Sequence, residues 1–364
     1  MRLGILTTGI GSYGKKGFYN AQEIGLAKEM DKLFEEVIVY KAIPKTEAFS
    51  SSKIEGCKNT TLYQLPVKNQ GINGMWDCKR LDASLDVLLY FSDTQLILPS
   101  VYKWCARHNV ILYPYIGVCE SHSNNWLKKL IIDGLFLRNL SVYRKCICFA
   151  KTPTVKEQLA LWDVNNVTVT PVGLDMSLLF SDVKSKSEVR EKLGFGIDKE
   201  IFLFIGRMTI EKQPLKMIEL FKNIYQSNKK AELIMIGKGE LLNEVKIQAD
   251  GFPVTFIEQI RNDLIWQYYV AADCFVNLND QEIFGMAILE AMYYGCKVVA
   301  WNAPGPNYII KNGFSGFLVN SDSEAITCML QGKLDTKDIH KYVVDCFTWN
   351  HTAKIMSDIM KGGQ

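Results

Sequence analysis

Two carboxylates, Glu282 and Glu290, have the surroundings in this sequence that best suit chemistry. An apolar strand pattern ends before them, a polar loop carries Glu282, and Phe284-Gly285 leads into an apolar helical pattern that contains Glu290. A helix N-terminus offers unpaired N–H groups and a partial positive charge, which suit an anionic diphosphate. Glu290 needs a partner because burying a bare carboxylate is costly, and ribose hydroxyls are suitable. A structural salt bridge or an exposed helix position is the alternative for Glu290.

Two cations, Arg207 and Lys212, follow a strong strand pattern at residues 201–206. The carboxyl end of a parallel strand is the edge at which ligands bind in open α/β sheets. An arginine can fork onto two phosphate oxygens, and a lysine adds a compact point charge. The pair therefore predicts a diphosphate site, with two solvated surface cations as the alternative.

A glycine loop follows the first strand pattern, with Gly9, Gly11 and Gly14 in G-x-G-x-x-G spacing. The spacing indicates either a phosphate or substrate loop or a tight turn that serves packing. A dinucleotide site would also need an acidic residue after the second strand, where the sequence has Tyr40-Lys41. An NAD fingerprint is therefore disfavoured.

Taken together, these segments resemble the retaining glycosyltransferases of family 4, which have the GT-B fold. Glu282 and Glu290 stand at the acidic positions of an E-x7-E motif, and Gly206 with Arg207 and Lys212 matches a GR-x4-K element. Weaker likenesses are the glycine turn at 236–240, the G-x-L-V at 316–319 and the F-T-W-N at 347–350. The resemblance covers roughly residues 200–355 and is loose before that.

The resemblance implies a role for each matching side chain. Arg207 and Lys212 would neutralise the departing nucleotide diphosphate. Glu282 would touch the transferred sugar, and Glu290 would hold the ribose.

Backbone groups would complete the nucleotide-sugar site that the resemblance implies. The amides around Phe284, Gly285 and Met286 would hold sugar or phosphate oxygens, and Gly11 would bring the N-terminal loop against the diphosphate. The backbone near Gln259 and Ile260 would meet the base, and Gly206 belongs to the same nucleotide-sugar site.

Family members of this kind retain the anomeric configuration and require no metal. The sequence agrees in having no D-x-D that could hold Mg²⁺ or Mn²⁺. We therefore expect no cofactor, with the nucleotide sugar as a substrate. Front-face attack, in which the leaving phosphate takes the acceptor's proton, is the path that the resemblance implies.

The sequence departs from the family pattern on the acceptor side. Many members carry a histidine just after the central strand of the N-terminal domain, and Gly117 falls at about that place. His122 follows a few residues later as a substitute or as a surface-loop residue.

Two series of short apolar runs alternate with helical patterns and supply the elements that position these residues. Continuous apolar strands are typical of parallel sheets covered on both faces. The fold class predicted is α/β, with two doubly wound Rossmann-like domains facing a cleft, the GT-B fold. The first domain, residues 1–173, would be the acceptor side. The second, residues 174–349, would bind the nucleotide sugar, and a C-terminal helix at about 350–364 would pack back on the first.

The composition is that of an ordinary globular protein, with 48% apolar and 22% charged residues. A net charge of only +3 gives a nucleic-acid partner no support. The charge is uneven, because residues 1–173 carry a net +6 and the remainder −3. Ten irregularly spaced cysteines without a C-x-x-C pair argue against a zinc site and for a reducing compartment.

Residues 126–149 mix apolar and basic residues. They predict either a core-packed helix with a solvated basic face, which we favour slightly, or a helix that rests on an anionic membrane. The sequence has no signal-like segment at its start and no apolar run near the roughly 20 residues of a membrane span. We therefore expect a cytoplasmic protein, with peripheral contact at the inner face of the membrane left open.

The function expected is transfer of a hexose from a nucleotide-diphosphate sugar, UDP in preference to GDP, to a saccharide or lipid-linked saccharide. Such a reaction belongs to the synthesis of cell-surface polysaccharides or glycoconjugates. The alternatives are a sugar-nucleotide epimerase on the same fold, a catalytically silent nucleotide-binding partner subunit and, on the glycine loop alone, an NAD-dependent oxidoreductase.

Overall fold

The structure, a computed structural model, describes residues 1–10, 21–70, 73–93, 95–119, 126–180 and 185–362. The chain divides into two compact units, Met1–Asp175 with Trp349–Gln364 and Met176–Thr348. The domain boundaries predicted after residues 173 and 349 lie within two residues of these divisions.

A mostly parallel sheet forms the centre of the first unit. Its strands in the described residues are β1 (Arg2–Thr7), β2 (Glu36–Pro44), β3 (Ser50–Lys53), β4 (Thr60–Gln70), β5 (Asn73–Met75), β6 (Val87–Phe91), β7 (Ile111–Ile116), β8 (Cys148–Ala150) and β9 (Val167–Val169). The order is β3-β4-β2-β1-β6-β7-β8-β9, with β5 beside β4. β3 and β5 run antiparallel to β4, and the other neighbours are parallel. The topological switch point therefore lies between β1 and β6.

Four helices follow strands of the first unit. They are α1 (Gln22–Met30), α2 (Leu98–His108), α3 (Trp126–Tyr143) and α4 (Pro153–Ala160), and a 3-10 helix spans Cys78–Arg80. α2 ends at Asn109, whose left-handed backbone (φ 56°) closes the last turn. The Thr152 side chain caps α4. Leu6, Tyr90 and Val101 belong to the buried core that the sheet and these helices enclose.

A fully parallel sheet forms the centre of the second unit. Its strands are β10 (Glu200–Ile205), β11 (Ala231–Ile236), β12 (Val254–Ile257), β13 (Cys274–Asn277), β14 (Lys297–Trp301) and β15 (Phe317–Val319). Their order is β12-β11-β10-β13-β14-β15. The switch point lies between β10 and β13, because the chain builds outward from β10 in one direction and from β13 in the other.

Helices precede, connect and follow these strands. They are α5 (Lys186–Leu193), α6 (Pro214–Ser227), α7 (Leu242–Gln248), α8 (Asn262–Ala271), α9 (Met286–Tyr293), α10 (Pro304–Ile309), α11 (Asp322–Gln331) and α12 (Thr336–Cys346), with 3-10 helices at Met176–Leu178 and Ile210–Lys212. Local sequence sets their ends. Ser185 and Glu188 form a capping box at the start of α5, and Gly194 ends it in the left-handed region. Of the described residues, no helix is both long and apolar enough to cross a membrane.

The last helix, α13 (Trp349–Gly362), belongs to the first unit. The Trp349 backbone N–H donates to the Leu174 carbonyl at 3.2 Å, and the Thr352 hydroxyl donates to the Pro171 carbonyl at 2.6 Å. Met356 and Met360 are fully buried on its inner face. The first unit is therefore made of two stretches of chain that are distant in sequence.

Candidate functional site

The carboxyl ends of β10 and β13 lie side by side at the switch point of the second unit. The two strands pair in parallel, with Phe202 opposite Cys274 and Leu203 opposite Phe275. β10 continues into the loop that carries the GR-x4-K element, and β13 continues into the loop of the first acidic position. The fold thus brings the two predicted motifs to one edge of one sheet.

Lys212 and Glu282 form an ion pair at this edge. The Lys212 ammonium lies 2.5 Å from Glu282 Oε2, and the side-chain amides of Asn277 and Asn279 each donate to the same oxygen at 3.3 Å. Both charged side chains are mostly buried, with 24% of the lysine and 15% of the glutamate exposed. These contacts fix the orientation of the Glu282 carboxylate. It lies next to Lys212, the side chain predicted to bind the diphosphate.

Short side-chain contacts hold the loop around Glu282. The Asn277 side chain accepts from the Asn279 N–H, and the Asn279 side chain accepts from the Gln281 N–H, both at 3.0 Å. The Gly305 N–H donates to the Glu282 carbonyl at 2.8 Å. Asn277 and Asn279 are positioning residues that the sequence analysis did not single out. Their position at the end of a strand pattern is the feature of the sequence that could have indicated them.

Two glycine turns pack backbone against backbone and position Arg207. The Gly206 N–H donates to the Ile236 carbonyl, and the Met208 N–H donates to the Lys238 carbonyl, both at 3.0 Å. Gly237 has a φ of 142°, and a Cβ there would overlap the Gly206 carbonyl oxygen. The glycine turn after β11 is therefore needed for close approach to the GR-x4-K loop. The Arg207 side chain is exposed at this edge.

The N-terminus of α9 lies between the two predicted carboxylates. Gly285 precedes the helix in the left-handed region (φ 102°), and as a glycine it has no side chain with which to cap the helix. The amide groups of a first helical turn have no intrahelical acceptor, so those of Met286 and its neighbours can bind an anion. Phe284, which is buried, precedes this turn.

Glu290 lies one turn into α9 and is partly buried. The Tyr269 hydroxyl, from α8, donates to Glu290 Oε2 at 2.8 Å. Burial raises the pKa of the Glu290 carboxyl to about 7, although this hydrogen bond acts to lower it. Burial also raises the pKa of Tyr269 well above its ordinary value. No sequence motif points to Tyr269, because it comes from another helix.

Gln259 and Ile260 follow β12 and complete the same edge of the sheet. The Gln259 side chain accepts from the Lys238 ammonium at 3.3 Å. Gln259 and Lys238 are both exposed. The loop that the sequence analysis assigns to the base therefore lies next to the glycine turn after β11.

The residues predicted for the acceptor side lie in the first unit. Gly117 directly follows β7, and its N–H donates to Asp93 Oδ1 at 2.6 Å. Gly11 and His122 lie outside the described residues, so their predicted contacts stay predictions.

Comparison with known proteins identifies the region that contains this edge. Residues 185–339 match the family model described as glycosyl transferases group 1. These residues are therefore a group 1 glycosyltransferase region, which confirms the resemblance to glycosyltransferases over residues 185–339.

Two curated relatives are similar over somewhat less than half of the chain. Alpha-monoglucosyldiacylglycerol synthase of Streptococcus pneumoniae is 26% identical over 183 residues, which is 48% of this chain and 42% of that protein. The UDP-Gal:alpha-D-GlcNAc-diphosphoundecaprenol alpha-1,3-galactosyltransferase of Escherichia coli is 32% identical over 167 residues. This match covers 43% of this chain and 42% of that protein. The matched segment thus spans about two fifths of the length of each relative.

A solved structure with the same fold is that of Anabaena Alr3699/HepE in complex with UDP. It superposes with a TM-score of 0.74 at 15% identity and covers 100% of both chains. Together with one mostly parallel and one fully parallel sheet, this likeness confirms the predicted α/β class and the GT-B fold.

Proposed function

We propose, from the group 1 region at residues 185–339, that the chain is a retaining glycosyltransferase that uses a UDP-sugar without a metal or other cofactor. The observation that carries the proposal is the switch-point edge of the second unit. There Lys212 and Glu282 form an ion pair, α9 begins directly after Gly285, and Arg207 is exposed in the loop after β10. Cations and a helix N-terminus stabilise the negative charge of a departing diphosphate, and a carboxylate accepts hydrogen bonds from the hydroxyl groups of a sugar.

The proposed mechanism follows from how charge develops. Negative charge grows on the diphosphate as the glycosidic bond breaks, while the transferred sugar becomes positive. Arg207, Lys212 and the first amides of α9 stabilise the first charge, and Glu282 orients the sugar. The acceptor hydroxyl attacks from the face that the diphosphate leaves, and a phosphate oxygen takes its proton.

The choice of donor and acceptor rests on the relatives' names. UDP is bound in the HepE structure, and UDP-Gal is part of the name of the E. coli relative. The names of both curated relatives contain a lipid, a monoglucosyldiacylglycerol in one and a GlcNAc-diphosphoundecaprenol in the other. We infer a saccharide or lipid-linked saccharide acceptor for this chain.

A ligand panel tests the donor role on the full chain. We expect UDP to raise the melting temperature more than GDP or ADP, with no change when EDTA is present. Proton NMR of the product formed from an α-linked UDP-sugar should show an α-linkage. If no nucleotide diphosphate binds, the donor role is wrong and a silent partner subunit is favoured. An epimerised UDP-sugar formed without any acceptor would identify an epimerase instead.

Contact with an anionic membrane is part of the same proposal, and α3 is the helix that would make this contact. Its first two turns expose Trp126 by 71%, Leu130 by 64% and Ile131 by 63%. Lys129 and Arg138 are exposed on the same helix. Exposed apolar and basic groups on one helix suit the interface of an anionic bilayer. The favoured expectation, a core-packed helix with a solvated basic face, fits the later turns of α3, where Phe136 and Leu140 are buried.

Co-sedimentation with vesicles tests the membrane contact. The full chain should pellet with phosphatidylglycerol vesicles at low salt and less at high salt or with phosphatidylcholine alone. Ile131→Glu should abolish pelleting, whereas Ile247→Glu, at a 78% exposed isoleucine on α7, should not. Absence of binding at low salt, or equal binding by both variants, would remove the membrane from the proposal.

A further inference from the structure

Lys151 and Asp93 lie at the carboxyl edge of the first unit's sheet and have no role in the function proposed above. Lys151 is the first residue after β8, Gly117 the first after β7, and Asp93 the second after β6. These three strands are parallel neighbours, so the residues meet at one edge beside the β1–β6 switch point. This is the edge of the first unit at which an open α/β sheet binds ligands.

The surrounding structure holds Asp93 in place. Its backbone is in the left-handed region, with a φ of 26°, which is uncommon for a residue with a side chain. Its carbonyl accepts a hydrogen bond from the Tyr143 hydroxyl, and Oδ1 accepts from the Gly117 N–H at 2.6 Å. One carboxylate oxygen is therefore anchored, and the other, Oδ2, faces Lys151.

The Lys151 side chain is 14% exposed, and its ammonium lies 4.0 Å from Asp93 Oδ2. It also lies over the rings of Phe91 and Tyr115, at 5.6 and 5.2 Å from their centres. A direct bond between an ammonium and a carboxylate is about 2.7–2.9 Å. The two groups thus attract each other across a gap that leaves both able to bind a third atom.

Lys151 occupies the space above Gly117. A Cβ at residue 117 would lie 2.6 Å from Lys151 Cδ and 3.1 Å from its Nζ. The absence of a side chain at Gly117 therefore leaves room for the Lys151 side chain. The ammonium group above Gly117 thus comes from the residue after β8, the strand next to β7.

We propose that Lys151 and Asp93 bind a hydroxyl group of a sugar, an inference that rests on the proposed glycosyltransferase function. A hydroxyl oxygen about 2.8 Å from both groups fits their separation, accepting from the ammonium and donating to Oδ2. The pair has no net charge, so it favours a neutral hydroxyl over a phosphate. The sugar is either the one transferred from the donor or part of the acceptor, and the experiment separates the two.

Two variants of the full chain remove the pair by different routes. Lys151→Met removes the ammonium and keeps the length of the side chain. Gly117→Ala keeps the ammonium and displaces it. The matched control is Lys156→Met, at an exposed lysine on α4. Circular dichroism and unchanged UDP affinity show that each variant is folded.

Titration calorimetry compares UDP with UDP-glucose and UDP-galactose, and then adds neutral p-nitrophenyl glycosides to the UDP complex. If the transferred sugar is bound, both variants lose about 10-fold or more of the affinity that the sugar adds to UDP. If the acceptor is bound, that gain is kept and glycoside binding falls by a similar factor. The inference is wrong if UDP binds and neither sugar response differs from that of Lys156→Met. Failure of the wild-type chain to bind any nucleotide diphosphate would instead overturn the proposed function.

Discussion

Glu282 and Glu290 occupy unlike surroundings, although one short motif contains both. Lys212 and two asparagine amides donate to Glu282. Glu290 accepts from the buried Tyr269 hydroxyl and lies among apolar neighbours on α9. At the scale of residues, the two carboxylates should therefore respond differently to substitution and to pH.

Substituting each carboxylate separates sugar transfer from nucleotide binding. Glu282→Ala should lower the transfer rate by about 10²–10³ while UDP affinity stays near that of the wild type, because Lys212 remains to meet the diphosphate. Glu290→Ala should raise the Kd of UDP about 10-fold, because a charged acceptor for ribose is lost. Calorimetry with UDP and a transfer assay measure both effects. Equal loss of UDP affinity in the two variants would mean that the roles are assigned wrongly.

The raised pKa of Glu290 predicts a dependence of donor binding on pH. An ionised carboxylate accepts hydrogen bonds from ribose, so affinity for UDP-glucose should rise about 10-fold from pH 6 to pH 8, across the pKa of about 7. UDP-glucose is the suitable ligand because both its phosphates are diesters and do not titrate there. Glu290→Gln should flatten the profile. Tyr269→Phe should move its midpoint to higher pH, because the lost hydrogen bond lowers the pKa.

The same group affects stability with the opposite sign. The unfolded carboxyl loses its proton near its ordinary pKa of 4.5, whereas the folded one keeps it up to about 7. The folded state therefore binds more protons between these values, and its stability falls as pH rises through this window. Thermal unfolding should show a steeper fall for the wild type than for Glu290→Gln. A parallel fall in both would contradict the assignment.

At the scale of elements, backbone contact between neighbouring loops decides the shape of the edge. The loop after β10 and the turn after β11 share hydrogen bonds, and Gly237 allows them to meet. Arg207 lies in the loop after β10, and this loop leads into the 3-10 helix that ends at Lys212. The fit of these turns thus controls the placement of the cations.

Adding a methyl group to Gly237 should disturb the site. Gly237→Ala should lower both stability and UDP affinity, because its Cβ would overlap the Gly206 carbonyl oxygen. The matched control is Gly251→Ala, where φ is also positive, at 77°, but no atom lies within 4 Å of the added carbon. The control should lose about 1 kcal/mol from backbone strain alone and keep UDP affinity. Equal effects on affinity would show that loop contact does not place the cations.

At the scale of the whole molecule, the chain returns to its first unit after completing the second. α13 packs against α1, where Gly25 lies against the Trp349 indole. The Lys361 ammonium donates to the Leu33 carbonyl at 2.6 Å. The stability of the first unit therefore depends on residues at the other end of the sequence.

A pair of helical glycines tests this dependence. A Cβ at Gly25 would overlap the Trp349 ring, so Gly25→Ala should destabilise the chain by about 1–3 kcal/mol and speed proteolytic release of α13. Gly134→Ala, on α3, adds a carbon with no atom within 4 Å and should raise stability by up to about 1 kcal/mol. Thermal unfolding and limited proteolysis measure both. Unchanged stability in Gly25→Ala would mean that α13 contributes little to the first unit.

The sequence by itself determined the fold class and most of the edge that carries the candidate site. Runs such as IFLFIG (residues 201–206) and CFVNL (residues 274–278) form strands covered on both faces of the sheet. Their continuous apolar pattern predicts such strands from local sequence alone. β3, in which every residue is exposed, lacks such a pattern because the sheet covers it little. Arg207, Lys212 and the two glutamates were found because their spacing is local, within the loop after β10 or across the loop and first turns of α9.

Only the tertiary structure decided which groups from distant segments meet. Tyr269 reaches Glu290 across 21 residues, and Lys212 reaches Glu282 across 70. Lys151 crosses Gly117 from the next strand of the sheet. No local pattern records these contacts, because strand order and backbone packing set them after the chain has folded. The motifs predicted where a nucleotide sugar would bind, and the strand order placed Lys212 beside Glu282.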